Sequence, residues 1–155
     1  MSSHLAMIEH APEQDRRQMN DLMQYWQRLC AGRLMPEEND IDPEDLGDHW
    51  SKCFLIQVFD ITQRRDYNFT YLGEDIIKAY RDEVLSAGEG VIISPNASAL
   101  THSFHIVLDT CAPVLAEGEF ASLSRQIIRY RQCLLPLGRD FKVDAIFGGM
   151  SFKVY

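Results

Sequence analysis

The sequence lacks any long apolar run and any pair of closely spaced cysteines. No stretch approaches the ~18 apolar residues of a membrane-spanning helix, and the beginning, MSSHLAMIEHAP, has neither the basic start nor the apolar core of a secretory signal. The four cysteines form no Cys-x-x-Cys pair, so they do not suggest a zinc knuckle or a redox dithiol. We therefore expect a cytoplasmic protein with reduced thiols and no membrane segment.

Basic residues are few: 15 Lys and Arg stand against 23 Asp and Glu, and the net charge is −8. Because such a surface repels a phosphate backbone on balance, the composition predicts no nucleic-acid partner. Seven of the acids lie between Glu37 and Asp48. Without the spacing and turn glycine of a calcium loop, this run indicates a solvated loop and a helix start.

Short sequence motifs typical of catalysis are also missing. There is no Gly-x-Ser-x-Gly elbow, no phosphate-cradling glycine loop and no His-Glu-x-x-His. The prediction is that the protein is not an enzyme. An alternative with Asp109 or Asp144 as an acid or base on a small curved-sheet fold stays open.

The length and composition are those of one globular domain. The chain has 155 residues, of which 46% are hydrophobic and 25% charged, enough for a single core. We expect a flexible N-terminus over 1–11 and one domain over 12–155, with an N-terminal helix over 12–33 and a core over 52–155.

An amphipathic helix is predicted from Pro12 to Arg33. Its apolar residues recur at steps of three and four and form one stripe. This stripe has two possible partners, namely the helix's own domain or a second copy in a homodimer. The candidate interface residues are Met19, Leu22, Met23 and Trp26.

The middle of the chain alternates helix and strand signals. Asp42-Pro43 starts a short helix that ends near His49 or Trp50. The run CFLIQVFDI from Cys53 predicts a strand covered on both faces, followed by a hairpin tip over 62–66 and a second strand. Helical spacing returns over 74–81, and 82–91 is interpreted as a loop or a loose helical turn.

The C-terminal part predicts one helix and three strands. The helix follows the capping signal Ser94-Pro95, with an apolar face from Leu100 to Cys111. The strand candidates span 114–120, 125–136 and 143–154. The fold class is therefore α+β, with a five-stranded antiparallel sheet whose middle connection is helical and an N-terminal amphipathic helix in front.

Several separate short motifs carry a resemblance to a known family. They are Tyr25-Trp26, Gly32-Arg33-Leu34-Met35-Pro36, Asp40-Ile41-Asp42-Pro43, Phe54-Leu55, Tyr71-Leu72-Gly73, Leu134-Leu135-Pro136-Leu137 and Val143-Asp144-Ala145-Ile146-Phe147-Gly148-Gly149. In this order they resemble a bacterial PAS-like family of short proteins catalogued as a domain of unknown function. A departure lies at Glu37-Glu38-Asn39, where the family tends to carry a basic residue.

The resemblance implies a PAS fold and a sensory or protein-interaction domain, often standing alone. Two functions follow from it. One is a ligand-responsive sensor that binds a small molecule and relays a signal through protein contacts. The other is a ligand-free dimeric adaptor that docks on another signalling protein.

A ligand pocket is expected between the sheet and the Leu100-to-Cys111 helix, because aromatic and flexible apolar residues suit a cavity wall. His105 and Tyr130 are its expected polar contacts. The candidate pocket residues are Phe69, Tyr71, Phe104, His105, Tyr130, Phe147 and Met150.

The cofactor is unknown from sequence. By resemblance to haem-binding PAS domains, His105 or His102 would be an axial iron ligand, but the sequence offers no partner for either, and an ordinary histidine is the favoured interpretation. Alternation along the strand from Arg125 puts Arg129 and Arg131 on one face. That face either binds an anionic group or pairs with the abundant acids.

Overall fold

The computed structural model describes most of the chain, namely residues 13–61, 64–79, 84–87, 90–93, 103–121 and 125–154. Its first element is the helix α1, which spans Glu13–Cys30. Met19, Leu22 and Trp26 recur at three- and four-residue steps and are buried, so they form a single face of α1. The predicted amphipathic helix is confirmed.

A capped turn ends α1. Gly32 has a φ of 84°, a conformation that costs glycine little because it has no Cβ. The guanidinium of Arg33 donates to the carbonyls of Cys30 (3.0 Å) and Leu29 (2.7 Å) and pairs with Asp40 at 2.9 Å. Gly32 and Arg33 therefore end the helix, and Arg33 links it to the following segment through Asp40.

The predicted helix start at Asp42-Pro43 is present. The carboxylate of Asp42 accepts a hydrogen bond from the Glu44 amide at 3.0 Å, and Pro43 opens the helix. The hydroxyl of Tyr25 accepts from the Asp42 amide at 2.9 Å, which links this start to α1. This short helix, α2, spans Pro43–Leu46. A 3-10 turn over Glu38–Asp40 precedes it, and a 3-10 helix over Gly47–Lys52 follows it.

The remaining elements, in chain order, are β1 (Cys53–Ile61), β2 (Arg64–Leu72), α3 (Glu74–Ala79), β3 (Val84–Ala87), β4 (Gly90–Ile93), α4 (Phe104–Thr110), β5 (Val114–Ala121), β6 (Ile127–Arg139) and β7 (Lys142–Val154). The strands form one sheet in the order β3-β4-β2-β1-β7-β6-β5, and the pairs are antiparallel. Within it, β2-β1-β7-β6-β5 is the predicted five-stranded antiparallel sheet. The α+β fold class is confirmed.

The interpretation of 82–91 as a loop or a loose helical turn is corrected for the residues that the structure describes. Val84–Ala87 and Gly90–Ile93 pair with each other, and Val91 pairs with Phe69 of β2. Short apolar runs gain hydrogen-bond partners when the edge of an existing sheet is available. This tertiary contact, which local sequence does not contain, extends the sheet by a two-stranded hairpin.

Strand register determines which residues share a face. Cys53 and Cys133 both pair with Gly149, and a Cβ built on Gly149 would overlap Leu22 of α1. Phe54 pairs with Gly148 on the opposite face. Since β6 and β7 are buried continuously over 132–138 and 145–150, both faces of the sheet centre are covered.

Several boundaries differ from the predicted ones. Strand β6 begins at Ile127, not at Arg125, whose φ of 65° belongs to a turn. It continues past Pro136 to Arg139. The predicted flexible segment 1–11, the hairpin tip at 62–63 and the helix beginning at 94–102, including His102, lie outside the described residues.

Candidate functional site

An aromatic cluster lies between α4 and the sheet. The ring of Phe104, at the start of α4, is 5.1 Å from that of Tyr67 and 6.4 Å from that of Phe69, measured between centroids. The ring of Phe54 lies 6.0 Å from that of Phe69. Edge-on and tilted arrangements at these distances are favourable. This side of the sheet, which we call the α4 face, is the expected location of the pocket.

Two polar side chains of β6 lie buried on the α4 face. Tyr130 is 8% exposed and Gln132 is 1% exposed. Leu134 lies two residues further along and pairs with Gly148, which in turn pairs with Phe54. Residues two apart in a strand share a face, so Tyr130, Gln132 and Leu134 all point to the α4 face. A buried amide and a buried phenol therefore interrupt an otherwise apolar wall.

Gly118 of β5 makes room for the phenol. It pairs with Tyr130, and a Cβ at Gly118 would lie 2.8 Å from the Tyr130 hydroxyl, closer than such atoms come in proteins. Burial raises the pKa of Tyr130, so the phenol is neutral at physiological pH and keeps its proton as a hydrogen-bond donor.

The expected pocket residues divide between the two faces. Four of them lie on the α4 face, namely Phe69, Phe104, Tyr130 and Met150. The pairing of Met150 with Gln132 places Met150 there. The structure does not bring the other three to them. Phe147 and Tyr71 lie on the α1 side, and His105 is exposed.

Tyr71 is misplaced in the sequence prediction because of a β-bulge. The register shifts between Leu55 and Ile56, so Tyr71 pairs with Leu55 while Phe69 pairs with Ile56. An extra residue in one strand reverses the alternation beyond it. The Tyr71 ring stacks on Trp50 at 4.0 Å, and its hydroxyl donates to the Trp50 carbonyl at 2.8 Å.

Phe147 and His105 also leave the α4 face. The ring of Phe147 packs edge-on against Tyr25 of α1, with centroids 6.4 Å apart. His105 follows Phe104, and one helical step of about 100° turns it to solvent. Among the described residues no group of three or more His, Cys, Asp and Glu is placed to hold a metal.

The α1 stripe packs on the chain's own sheet. Leu22 lies over Gly149, the indole of Trp26 donates to the Pro136 carbonyl at 2.8 Å, and the amide of Gln18 donates to the Met150 carbonyl at 3.2 Å. Met19 is also buried, and Met23 is half-buried. Of the two alternatives for the stripe, the structure has the one in which it covers its own domain.

An open groove of about 530 Å³ lies at the end of the sheet near the β6–β7 turn. Arg139 pairs with Glu37 across it. Burial, followed by the neighbouring charge of Glu37, raises the pKa of Asp144. The groove is lined by Glu37, Glu38, Asn39, Gln57, Val58, Phe59, Arg139 and Asp144.

Comparison with known protein families agrees with this topology. A family model described as PAS domain matches residues 14–151, most of the chain. The chain belongs to the PAS domain family. No curated protein matches it. It is a PAS-type domain of the sensory and signalling kind, and such domains are generally not catalytic.

In this PAS domain the residues of the family-like motifs make contacts that hold the elements together. Tyr25 links α1 to the start of α2, and Trp26 links it to β6. Arg33 holds the segment between α1 and α2 through Asp40. The Pro36 carbonyl accepts from the Gly138 amide at 2.9 Å, which holds that segment against the β6–β7 turn. No described helix is long and apolar enough to cross a membrane.

The predicted arginine face of β6 is paired with acids. Arg131 contacts Glu117 and Arg129 contacts Glu119, each at 3.1 Å, and these residues are direct cross-strand neighbours. Of the two alternatives, pairing with the acids of the chain is what the structure contains. Of the two carboxylates named in the enzyme alternative, Asp144 lines the groove and Asp109 is exposed on α4.

Sequence reasoning missed Gln132 and Gly118. A signal for Gln132 existed, since it is a polar residue that shares its alternation with Ile128, Tyr130 and Leu134. Gly118 had none, because its partner is fixed only by the β5–β6 register. The groove was also unpredictable, since Glu37 and Arg139 are 102 residues apart.

Proposed function

We propose that this PAS domain binds a small molecule at its α4 face and relays the binding through protein contacts. The observation that carries the proposal is the buried amide of Gln132 beside the phenol of Tyr130. Small-molecule sites combine apolar walls with a few such groups.

The chemistry of the wall indicates the class of ligand. Phe69, Phe104 and Met150 offer aromatic and thioether surface, which suits a flat or irregular apolar body. The Tyr130 hydroxyl donates and accepts, and the Gln132 amide does both through separate atoms. A neutral molecule with an aromatic or apolar body and one or two polar groups fits these partners.

Binding would reach the surface through β6 and β7. Gln132 and Met150 are paired, and the Met150 carbonyl accepts from Gln18 of α1. A change at the α4 face therefore has a direct backbone path to the helix on the other side of the sheet. This path gives the ligand a way to alter the packing of α1.

The test is thermal unfolding of the full chain with a library of neutral aromatic metabolites. A ligand that binds only the folded state raises stability, by about 2.7 kcal/mol at a hundredfold excess over Kd. We expect at least one compound to raise Tm, and Gln132→Leu and Tyr130→Phe to remove that rise.

Glu119→Gln, an exposed change on the neighbouring strand, is the matched control and should keep the rise. The unliganded Tm of each variant is measured first, so that loss of folding is not taken for loss of binding. A compound that stabilises wild type and both variants equally would contradict the assigned site, and a library without any stabilising member would contradict the ligand proposal.

A second candidate function is a ligand-free adaptor that docks on another signalling protein. The observation that favours it is Phe141, an aromatic side chain that is 85% exposed in the β6–β7 turn. A ring left in water at a turn is available to a partner, and exposed apolar surface is what protein contacts bury. A protein without a stabilising ligand but with a partner bound at this turn would support this candidate.

A further inference from the structure

One exposed aromatic ring lines the groove at the end of the sheet, and a second lies in the β6–β7 turn, outside the lining but next to it along the chain. Phe59 of β1 lines the groove and is 45% exposed, and Phe141 lies two residues beyond Arg139 and is 85% exposed. The backbone of the turn is held in place, since the Cys111 thiol at the end of α4 donates to the Phe141 carbonyl at 3.2 Å. The rings are thus presented from anchored elements.

The charge of the groove is negative. Its lining contains three carboxylates, Glu37, Glu38 and Asp144, and one guanidinium, Arg139. Glu37 is paired with Arg139, so Glu38 and Asp144 are the excess negative charge of the lining, and Lys142 at the start of β7 offsets part of it at Asp144. Partial burial and the charge of Glu37 raise the pKa of Asp144, while the charges of Arg139 and Lys142 lower it.

We propose that this groove docks a segment of a partner protein that carries Lys or Arg next to an apolar residue. The basic group lies against Asp144 and Glu38, and the apolar residue packs on Phe59 and Phe141. This inference rests on the relay part of the proposed function and names the surface and the chemistry of the partner. It does not depend on the ligand at the α4 face.

A partner fits the groove better than a second copy does. Two copies would bring two sets of excess carboxylates together, in a chain whose net charge is already −8. The arginines on β6, which would have to answer that charge, contact Glu117 and Glu119 of their own chain. A basic segment from another protein meets no such cost.

The test selects peptides on the full chain from a random dodecapeptide library. We expect the selected peptides to carry Lys or Arg beside Leu, Ile, Phe or Trp. Their Kd is then measured by fluorescence anisotropy, and nitrogen-15 NMR locates the bound peptide. Binding should weaken at least tenfold with Asp144→Lys and with Phe141→Ser, and should weaken as salt increases.

Each variant has a matched control. Asp109→Lys makes the same charge change at an exposed acid outside the groove, and Ile127→Ser removes an apolar side chain that is 45% exposed at the other end of β6. Both controls should leave the Kd unchanged. Since all four changed side chains are exposed, folding is checked by circular dichroism alone.

Three outcomes would overturn the inference. The library enriches no basic and apolar pairing, the selected peptides shift resonances away from the groove, or light scattering finds a dimer that Phe141→Ser dissociates, which makes a second copy the occupant. Ligand stabilisation measured on Asp144→Lys separates the two proposals, because that variant should lose peptide binding and keep the rise in Tm.

Discussion

Leu22 of α1 lies directly over Gly149 of β7, where a Cβ would overlap the Leu22 methyl group. Leu22 is fully buried, so it cannot swing into solvent to make space. The backbone of β7 and the helix are in contact because this position has no side chain. The approach of α1 to the sheet therefore depends on one glycine.

Gly149→Ala should destabilise the protein by about 1–3 kcal/mol, the usual cost of overpacking a core. Leu22→Ala alone should cost about 2–5 kcal/mol through the cavity it leaves. Because the added methyl group fills that cavity, the double variant should lose less than the sum of the two in urea unfolding. Gly148→Ala, which faces Phe54, combined with Leu22→Ala is the control. Additive losses at Gly149 would contradict the contact.

Trp26→Phe should cost about 1–3 kcal/mol. The substitution keeps an aromatic ring but removes the donor to the Pro136 carbonyl, 2.8 Å away. A buried acceptor left without its donor carries its full desolvation cost. Leu34→Ala, at an exposed position near the end of α1, should change the free energy of unfolding by less than 0.5 kcal/mol, about the scatter of surface substitutions. Equal stability of wild type and Trp26→Phe would contradict the role of this bond.

Stability should fall as pH rises from about 9 to about 12. Burial raises the pKa of the Cys133 thiol to about 12 and raises that of Cys53 in the same direction. The unfolded chain releases these protons first, near its ordinary pKa of about 8.5, so alkaline pH favours unfolding and no effect is present below that value.

The measurement is urea unfolding of wild type and Cys133→Ala at pH values from neutral to 10.5. The variant should lose less stability over this interval. Leu135→Ala, another truncation of a buried β6 residue, is the control and should keep the slope of wild type. Parallel curves for wild type and Cys133→Ala would show that the thiol has the same pKa in the folded and unfolded states, which contradicts its burial.

The two ion pairs between β5 and β6 should differ in strength. Both have nitrogen–oxygen distances of 3.1 Å, but the side chain of Glu117 is 10% exposed and that of Glu119 is 56% exposed. Glu119→Gln should change stability by about 0–1 kcal/mol, as exposed pairs do. Glu117→Gln should cost more, about 1–3 kcal/mol, because it weakens a charge-assisted hydrogen bond at a largely buried site. Equal effects in urea unfolding would contradict the assigned burial.

Local signals predicted the elements but not their faces. The stripe of α1, the cap at Asp42 and the five long strands depend on spacing and residue type, which the sequence contains. The hairpin β3–β4 depends on an edge supplied by β2, so its residues looked like a loop. In the same way, the bulge opposite Leu55 moved Tyr71 to the other face.

The candidate site was predicted in part. Period-two alternation already separates Phe147 from Met150, and a stricter reading of it would have excluded Phe147 from the α4 face. His105 borders the apolar side of its helix, and only the docking angle of α4 decides that it is exposed. The groove needed the three-dimensional fold, because its lining comes from three distant parts of the chain.

The most direct test of the small-molecule proposal is native mass spectrometry of rapidly purified protein. We expect wild type to carry an added mass of small-molecule size that is lost on denaturation, and Gln132→Leu to carry less of it. Ile127→Ser should retain it. A wild-type spectrum with the bare chain mass alone, before and after incubation with the compounds tested by unfolding, would contradict a ligand at the α4 face.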